Sequence, residues 1–497
     1  MNIHNVLFAT SEISPLKPIS QITDMTMQLP PAIKTLRRHI YVVVPAYHNL
    51  LKALGNDIKL CTEFKINGLE APVSLYEGKL PGSSVKLLLA DIPGFFDHTN
   101  GTTETSETDD NTEIASNEHF ARFCQVVAAI AQGDAELTWE PQLVHCNGWQ
   151  TGLVPALLTH QDHQVATLFT LHNPGEQECV ALEQMRTWEL PPSLTEEPSI
   201  IMDGQICFTK AALRYADNVS TTSPTYAKEI TTASYGCGLE DLLRQRQDHL
   251  FGILNGINYQ KWNPAKDKRL PRSYNSHTLD DKVLSKLALQ RAFNLPPREK
   301  CCLIGIIGDL STTEGTDLLL ETIPELLKQD MQIILLGKGD IEYVSPLRDI
   351  CLNHSEQIAA HIREDNKLSH LIIGGADIYL APSRLDPCAS RSRLALRYGT
   401  VPAVNNGGAL ADSIIDTNSN TLTNNTASGF LLDLTDASTL LTTLNRAISF
   451  YQDHPKEWKK VAINGMQQDF SWRRTARQYI DLYKKTIEIR GNGNFQV

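Results

Sequence analysis

The sequence predicts an α/β chain of two doubly wound domains, each a parallel sheet with helices on both faces. Three observations carry that expectation. Short apolar, β-branched runs bounded by Gly, Pro, Asn or Asp recur from end to end, amphipathic stretches separate them, and the series falls into two sets. At roughly 150 residues per domain, a chain of 497 residues holds two or three domains, and 41% hydrophobic content is enough for sizeable cores.

In the first set the runs predict strands at 5–10, 39–45, 85–92, 142–147, 167–172, 218–222 and 250–254. In the second they predict strands at 301–308, 332–336, 371–380, 400–404 and 429–432. A polar stretch, 259–278, follows Asn255-Gly256-Ile257 and precedes a helix beginning near Leu279, so a boundary is expected within 255–280. Residues 99–118 are almost wholly Thr, Asp, Glu, Asn and Ser and cannot bury enough surface to offset their ordering entropy. They read as a mobile surface loop, and 416–428 as a second loop. No repeat of fixed period is present.

Charge excludes some partners. Lys+Arg 45 against Asp+Glu 57 gives a formal charge of -12, the wrong sign for collecting nucleic acid. No apolar run approaches the roughly 20 residues of a membrane span, and no basic segment leads into an apolar one at the start. No membrane contact and a cytoplasmic address are therefore expected. The ten cysteines are scattered, without a C-x-x-C pair or a Cys/His cluster at zinc spacing, and read as reduced core residues with no metal among them. Ligands of open α/β sheets bind at the carboxyl ends of the strands, so two facing domains suggest a nucleotide-type site in a cleft.

Several segments carry more than pattern. They are Val6-Leu7-Phe8-Ala9-Thr10-Ser11-Glu12-Ile13-Ser14-Pro15, His145-Cys146-Asn147-Gly148-Trp149-Gln150-Thr151-Gly152-Leu153, Phe169-Thr170-Leu171-His172-Asn173, and Gly252-Ile253-Leu254-Asn255-Gly256-Ile257. Further along come Gly374-Gly375-Ala376-Asp377, Pro382-Ser383-Arg384-Leu385-Asp386-Pro387-Cys388 and Asp469-Phe470-Ser471-Trp472. In this order, and over nearly the whole chain, they resemble segments of bacterial glycogen synthases and plant starch synthases. The resemblance implies a GT-B glycosyltransferase that moves glucose from ADP-glucose to the end of an α-1,4-glucan with retention, using no metal and no cofactor. It also implies an acceptor-side domain at 1–255, a donor-side domain at 256–470, and a final helix, 471–497, crossing back to the first domain.

The same resemblance exposes departures. A metal-free transferase stabilises the departing phosphate with cations and oriented amides. The family's Lys-x-Gly-Gly-Leu loop falls on Pro18-Ile19-Ser20-Gln21-Ile22, which removes the lysine and both glycines, with Lys17 one place away as a possible substitute. The family's arginine and lysine after the first strand of the second domain fall on Asp309 and Glu314. A unit charge about 4 Å from a phosphate oxygen is worth roughly 4 kcal/mol at an effective dielectric near 20, and total catalytic stabilisation is about 8–23 kcal/mol. The family's aspartate before tryptophan is Gly148, and its Gly-Leu-Thr-Gln after Pro-Cys is Ala389-Ser390-Arg391-Ser392.

Other positions keep the family's pattern. His172 and Asp386 are the candidate catalytic residues, Asp386 standing in for a glutamate one methylene longer. Asn173, Asn255, Ser383 and Arg391 are the candidate substrate-binding residues. Taken alone, Asp386 reads as a helix cap, Asn255-Gly256 as a turn, and Arg391 with Arg393 as solvated helix charges. Two functions follow: a synthase-like protein with transfer impaired or lost, which binds α-1,4-glucan or an active synthase, and an active transferase with a rearranged phosphate site. ADP-glucose or ADP is the expected nucleotide in either.

Overall fold

The structure is a computed structural model. It describes every residue except 1–4, 15–19, 97–109, 160–164, 189, 191–193, 195–197, 385, 434–435 and 492–497, and only the backbone of 110–116 and 198. The chain divides into two compact units, Met1–Gly256 with Trp472–Val497, and Ile257–Ser471.

The first unit contains β1 (Asn5–Thr10), β2 (His39–Pro45), β3 (Lys59–Phe64), β4 (Val73–Lys79), β5 (Lys86–Asp91), β6 (Leu143–Asn147) and β7 (Ala166–Leu171). After these come β8 (Cys179–Ala181), β9 (Ile201–Met202), β10 (Gln205–Cys207), β11 (Asn218–Thr221) and β12 (Leu250–Gly252). Nine of them form one sheet in the order β12-β11-β7-β6-β1-β2-β5-β4-β3. β6 and β7 are buried along their whole length, as a parallel strand covered on both faces must be.

Sequence pattern misses part of this sheet. β4 pairs antiparallel with both β3 and β5, so the sheet is mixed rather than parallel throughout. β3 is an edge strand with mostly exposed side chains, which leaves little apolar signal to read. Residues 110–118, expected as loop, begin the helix Asp110–Gln132; acidic and amide side chains that disfavour a core are also those favoured in a helix's first turn. The rest of that stretch lies outside the described residues.

β8, β10 and β9 form a small antiparallel sheet in which Cys179 sits directly opposite Cys207. Their Cα atoms are 4.0 Å apart and the two are joined in a disulfide, so these cysteines are not reduced. Cys61 and Cys237 also depart from expectation, being exposed rather than in the core. Cross-strand pairing made the bridge, and register between short strands is not visible in sequence spacing.

The helix Trp472–Gly491 belongs to the first unit and packs on the helix Gln21–Thr35. Tyr483 Oη lies 2.8 Å from His145 Nδ1, Asn218 Nδ2 donates to Thr486 Oγ1 at 2.9 Å, and Thr475 Oγ1 donates to Leu254 O at 2.8 Å. Gly256 permits this approach, because a Cβ there would lie 2.6 Å from Trp472 Cα.

The second unit holds β13 (Cys302–Ile307), β14 (Met331–Gly337), β15 (Ile358–Ile362), β16 (Ile378–Ala381), β17 (Val401–Asn405) and β18 (Phe430–Leu432), parallel in the order β15-β14-β13-β16-β17-β18. The strand expected over 371–380 is instead the helix Asn366–Gly375 followed by β16. Asp365 caps that helix by accepting from Lys367 N and Leu368 N, and every residue from His370 to Gly375 is buried, so its second half carries the unbroken apolar run of a strand. β15 is an addition that the sequence pattern does not show. Within 416–428 the structure places a short helix, Ser419–Thr423, with a capping box at Asn418.

Both sheets reverse strand order at their first strand. β1 lies between β2 and β6, and β13 between β14 and β16. Ligands of doubly wound sheets bind at the carboxyl ends of the strands beside such a reversal.

Candidate functional site

In the first unit, His172 directly follows β7, beside the carboxyl ends of β6 and β1, and is 5% exposed. Its Nε2–H donates to Asn147 Oδ1 at 2.7 Å, leaving Nδ1 as an acceptor without a protein partner. Burial pushes the imidazole down to about 4, against a smaller upward pull from Glu12, so it is neutral at pH 7. Ser11 Oγ, Asn147 Nδ2 and Gln150 Oε1 are likewise buried without protein partners. A group of unsatisfied polar atoms at the carboxyl ends of these strands suits a hydroxyl-rich ligand or the water that stands in for it.

At the same strand ends the described residues put a carboxylate beside the start of a helix. Ser20 is the N-cap of the helix Gln21–Thr35, its Oγ accepting from Thr23 N at 2.9 Å while donating to Glu12. Thr23 Oγ1 also donates to Glu12 Oε2, at 3.1 Å. The helix start thus carries its own N-cap beside a carboxylate, a charge that disfavours an anionic ligand there. Gln21 is half-buried with Oε1 unpartnered; Pro18, with Lys17, lies outside the described residues.

Gly148 has φ 80 and ψ 165, a region essentially reserved for glycine. A Cβ there would lie 2.8 Å from both Gln150 Oε1 and Ile22 Cδ1. Asn173 uses its Oδ1 to accept from Gly175 N at 3.0 Å, a local turn. Asn255, 4% exposed, follows β12, two strands away from β7.

In the second unit a second group forms where β13 and β16 end. Glu314, half-buried, accepts a hydrogen bond from Ser383 Oγ, and Ser383 is 2% exposed. Burial raises the Glu314 carboxyl above its ordinary value; Asp386 and Asp309 push the same way, and the Ser383 bond and Arg391 oppose them. Asp309 itself is exposed. Arg391, in the first turn of the helix Ser390–Arg397, places Nη1 3.5 Å from Ile307 O at the end of β13.

Neighbouring charges are engaged elsewhere. Arg384 is clamped on Asp317 through two bonds of 2.7 Å. Asp386 Oδ1 accepts from Cys388 N at 3.2 Å and Ala389 N at 2.8 Å, holding the turn that leads into the helix. Arg393 is not a solvated charge: it is 0% exposed, bonded to Cys388 O and Ala389 O, with its guanidinium 5.8 Å from the centre of the Phe470 ring. Guanidinium groups satisfied by carbonyls and stacked on an aromatic ring are tolerated in a core.

The structure therefore groups Asp309, Glu314, Ser383, Asp386 and Arg391 in one unit, and gathers Ser20, Gln21, Gly148 and His172 near the carboxyl ends of β1, β6 and β7 in the other. Glu12, Asn147 and Gln150 join the second group without having been singled out from the sequence. Their signal was position alone, each within four residues after a strand or at its last residue. Among the described residues no group of three or more His, Cys, Asp or Glu is arranged to hold a metal ion.

Comparison with known proteins adds the lineage. Residues 5–245 match the starch synthase catalytic domain family. The chain is 36% identical to "Glycogen synthase 2" of Nitrosococcus oceani, covering 98% of each chain, and 37% identical to the glycogen synthase of Cellvibrio japonicus, covering 97% of this chain and 99% of the other. The chain belongs to the bacterial glycogen synthase family. The catalytic domain of starch synthase IV from Arabidopsis thaliana, solved with ADP and acarbose, matches the fold of this family member with a TM-score of 0.83 at 24% identity, covering 98% of this chain and 100% of that one. Sucrose-phosphate synthase from Thermosynechococcus elongatus matches with a TM-score of 0.57 at 16% identity, covering 97% and 98%. The fold of this glycogen synthase family member is GT-B, α/β with largely parallel sheets. No helix among its described residues is long and apolar enough to cross a membrane.

Proposed function

We propose that this protein acts in glucan metabolism as a glycogen synthase-family member in which glucosyl transfer from ADP-glucose to an α-1,4-glucan is strongly impaired or lost. What remains is binding of α-1,4-glucan or regulation of an active synthase, in the cytoplasm. The reading rests on Glu314. A carboxylate held by Ser383, with Asp386 and Asp309 adding negative charge, stands where the departing diphosphate of the family reaction needs cations. Each reversed charge opposes transfer by an amount comparable to several kcal/mol at about 4 Å. The self-capped start of the helix Gln21–Thr35, beside Glu12, supports the same reading. The unpartnered atoms of Ser11, Asn147, Gln150 and His172 support retained binding of a sugar through its hydroxyls.

One observation favours a second reading. Arg391 lies in the electrostatic field of Glu314 and is a cation that the family pattern does not have at that place. If it turns from Glu314 to a phosphate, transfer persists through a rearranged site that uses ADP-glucose.

Purified protein incubated with ADP-glucose and glycogen decides between them. Labelled glucose incorporated at about a hundredth or less of the rate of an ordinary glycogen synthase is expected, the scale on which losing oriented charge stabilisation acts. Co-sedimentation with glycogen without ADP-glucose is expected to persist. Turnover equal to that of an ordinary synthase overturns the proposal, and abolition of such turnover by Arg391→Ala would establish the rearranged site.

A further inference from the structure

A cavity of about 520 Å³ lies in the second unit at the amino ends of β13, β16 and β17, opposite to the strand ends that carry Glu314 and Ser383. Four lysines line it: Lys282, Lys286, Lys300 and Lys459. We propose that this cavity binds a small phosphate monoester, with the Lys282 ammonium at its floor and Lys300 at its rim.

The lysines differ in what already satisfies them. Lys286 is paired with Asp377 Oδ2 at 2.6 Å and also donates to Glu299 O and Tyr451 Oη. Lys459 is held by both oxygens of Asp280, at 2.7 and 2.8 Å. Among the described residues Lys282 forms no ion pair: it is 9% exposed and donates to two neutral oxygens, Gly374 O at 2.9 Å and Thr400 Oγ1 at 2.6 Å. Lys300 is exposed and makes no ion pair among the described residues.

A buried ammonium with neutral partners alone is costly, and an anion entering the cavity relieves that cost. Burial draws the Lys282 ammonium down to about 7, the mark of a cation short of counter-charge; Asp377 opposes that shift and Lys286 adds to it. Of the lining acids, Asp377 is paired with Lys286 while its charge also reaches Lys282, and Asp280 is paired with Lys459, which leaves Glu299 as the lining acid outside an ion pair among the described residues. A dianion supplies the counter-charge that both Lys282 and Lys300 lack, which a single carboxylate does less well. The remaining wall, with Tyr451, Pro455, Trp458 and Ala462, offers apolar surface for the organic part. The volume falls within the roughly 300–1,000 Å³ of ordinary small-molecule sites.

The site is separable from the glucan reading by experiment. The full-length protein is titrated at pH 7 with ribose 5-phosphate, inorganic phosphate and ribose, reading calorimetric affinity and Tm. Ribose 5-phosphate is expected to bind and raise Tm, inorganic phosphate to bind more weakly, and ribose not to bind. Lys282→Met and Lys300→Glu are each expected to weaken the ester by about tenfold or more, the effect of one charge-assisted hydrogen bond, while Arg391→Ala leaves it unchanged. No binding at millimolar ester, or binding lost in Arg391→Ala and kept in both lysine variants, overturns the proposal. Inorganic phosphate binding as tightly as the ester overturns the assignment of an ester. Should Lys282→Met fail to fold, Lys300→Glu on the exposed rim decides alone.

Discussion

His172 Nε2 lies 2.7 Å from Asn147 Oδ1, a bond across the ends of two neighbouring strands that sets which ring nitrogen carries the proton. The other nitrogen is buried and free to accept, so the pair is arranged for a neutral imidazole.

That arrangement makes stability depend on acid. The unfolded chain protonates His172 near 6.5, whereas the folded imidazole stays neutral down to about 4; His145, likewise buried, stays neutral down to about 3. The unfolded state therefore binds more protons between those values. The stabilisation is complete above about pH 6.5 and is lost as pH falls from there toward 4. Urea unfolding from pH 7.5 to 4.5 is expected to show this loss, and His172→Gln to show a shallower one.

Glu314 has the opposite sign. Its carboxyl is raised in the fold, so the folded state holds the proton longer, and stability declines as pH rises from the ordinary value of 4.5 through the raised one. Glu314→Gln keeps an acceptor for Ser383 and removes the charge beside Asp386 and Asp309. The variant is expected to match the parent at low pH and exceed it in unfolding free energy at pH 8. Equal free energies at both pH values would show that the carboxylate is not opposed by its neighbours.

Ala389 is a left-handed residue, φ 50 and ψ 29, at a position where the family carries glycine. A side chain there costs about 1–2 kcal/mol, and glycine's greater freedom in the unfolded chain returns about 0.5–1 kcal/mol of that. Ala389→Gly is thus expected to stabilise the protein by up to about 1 kcal/mol, measured by urea unfolding.

At Gly148 the reverse holds. Restoring the family's aspartate places a side chain in a glycine-only backbone region and within 2.8 Å of Ile22 and Gln150. Backbone strain alone is worth about 1–3 kcal/mol. Gly148→Asp is expected to lower Tm by several degrees, about 2–4 °C per kcal/mol for a large domain, without restoring transfer. An unchanged Tm would mean that the backbone relaxes to accept the aspartate.

The acidic character of Asp309 and Glu314 was legible in the residues themselves. Their unequal fates were not: Asp309 faces solvent while Glu314 turns inward to Ser383, a residue 69 positions away in sequence. Arg393 shows the same limit. Two positions, about half a turn of helix, separate an exposed Arg391 from an Arg393 buried against Phe470, and no local pattern distinguishes two arginines with one residue between them.

By itself the sequence determined the α/β class, the first two strands to the residue and the family, because apolar runs, turn residues and ordered motifs are properties of short stretches of chain. Only the tertiary structure decided the mixed sheet, the Cys179–Cys207 bridge, the self-capped helix after Ser20 and the lysine-lined cavity. Each of these is a meeting of segments distant in sequence or of side chains whose direction the backbone sets, and register, burial and hydrogen-bond partnership exist only once the strands and helices have packed.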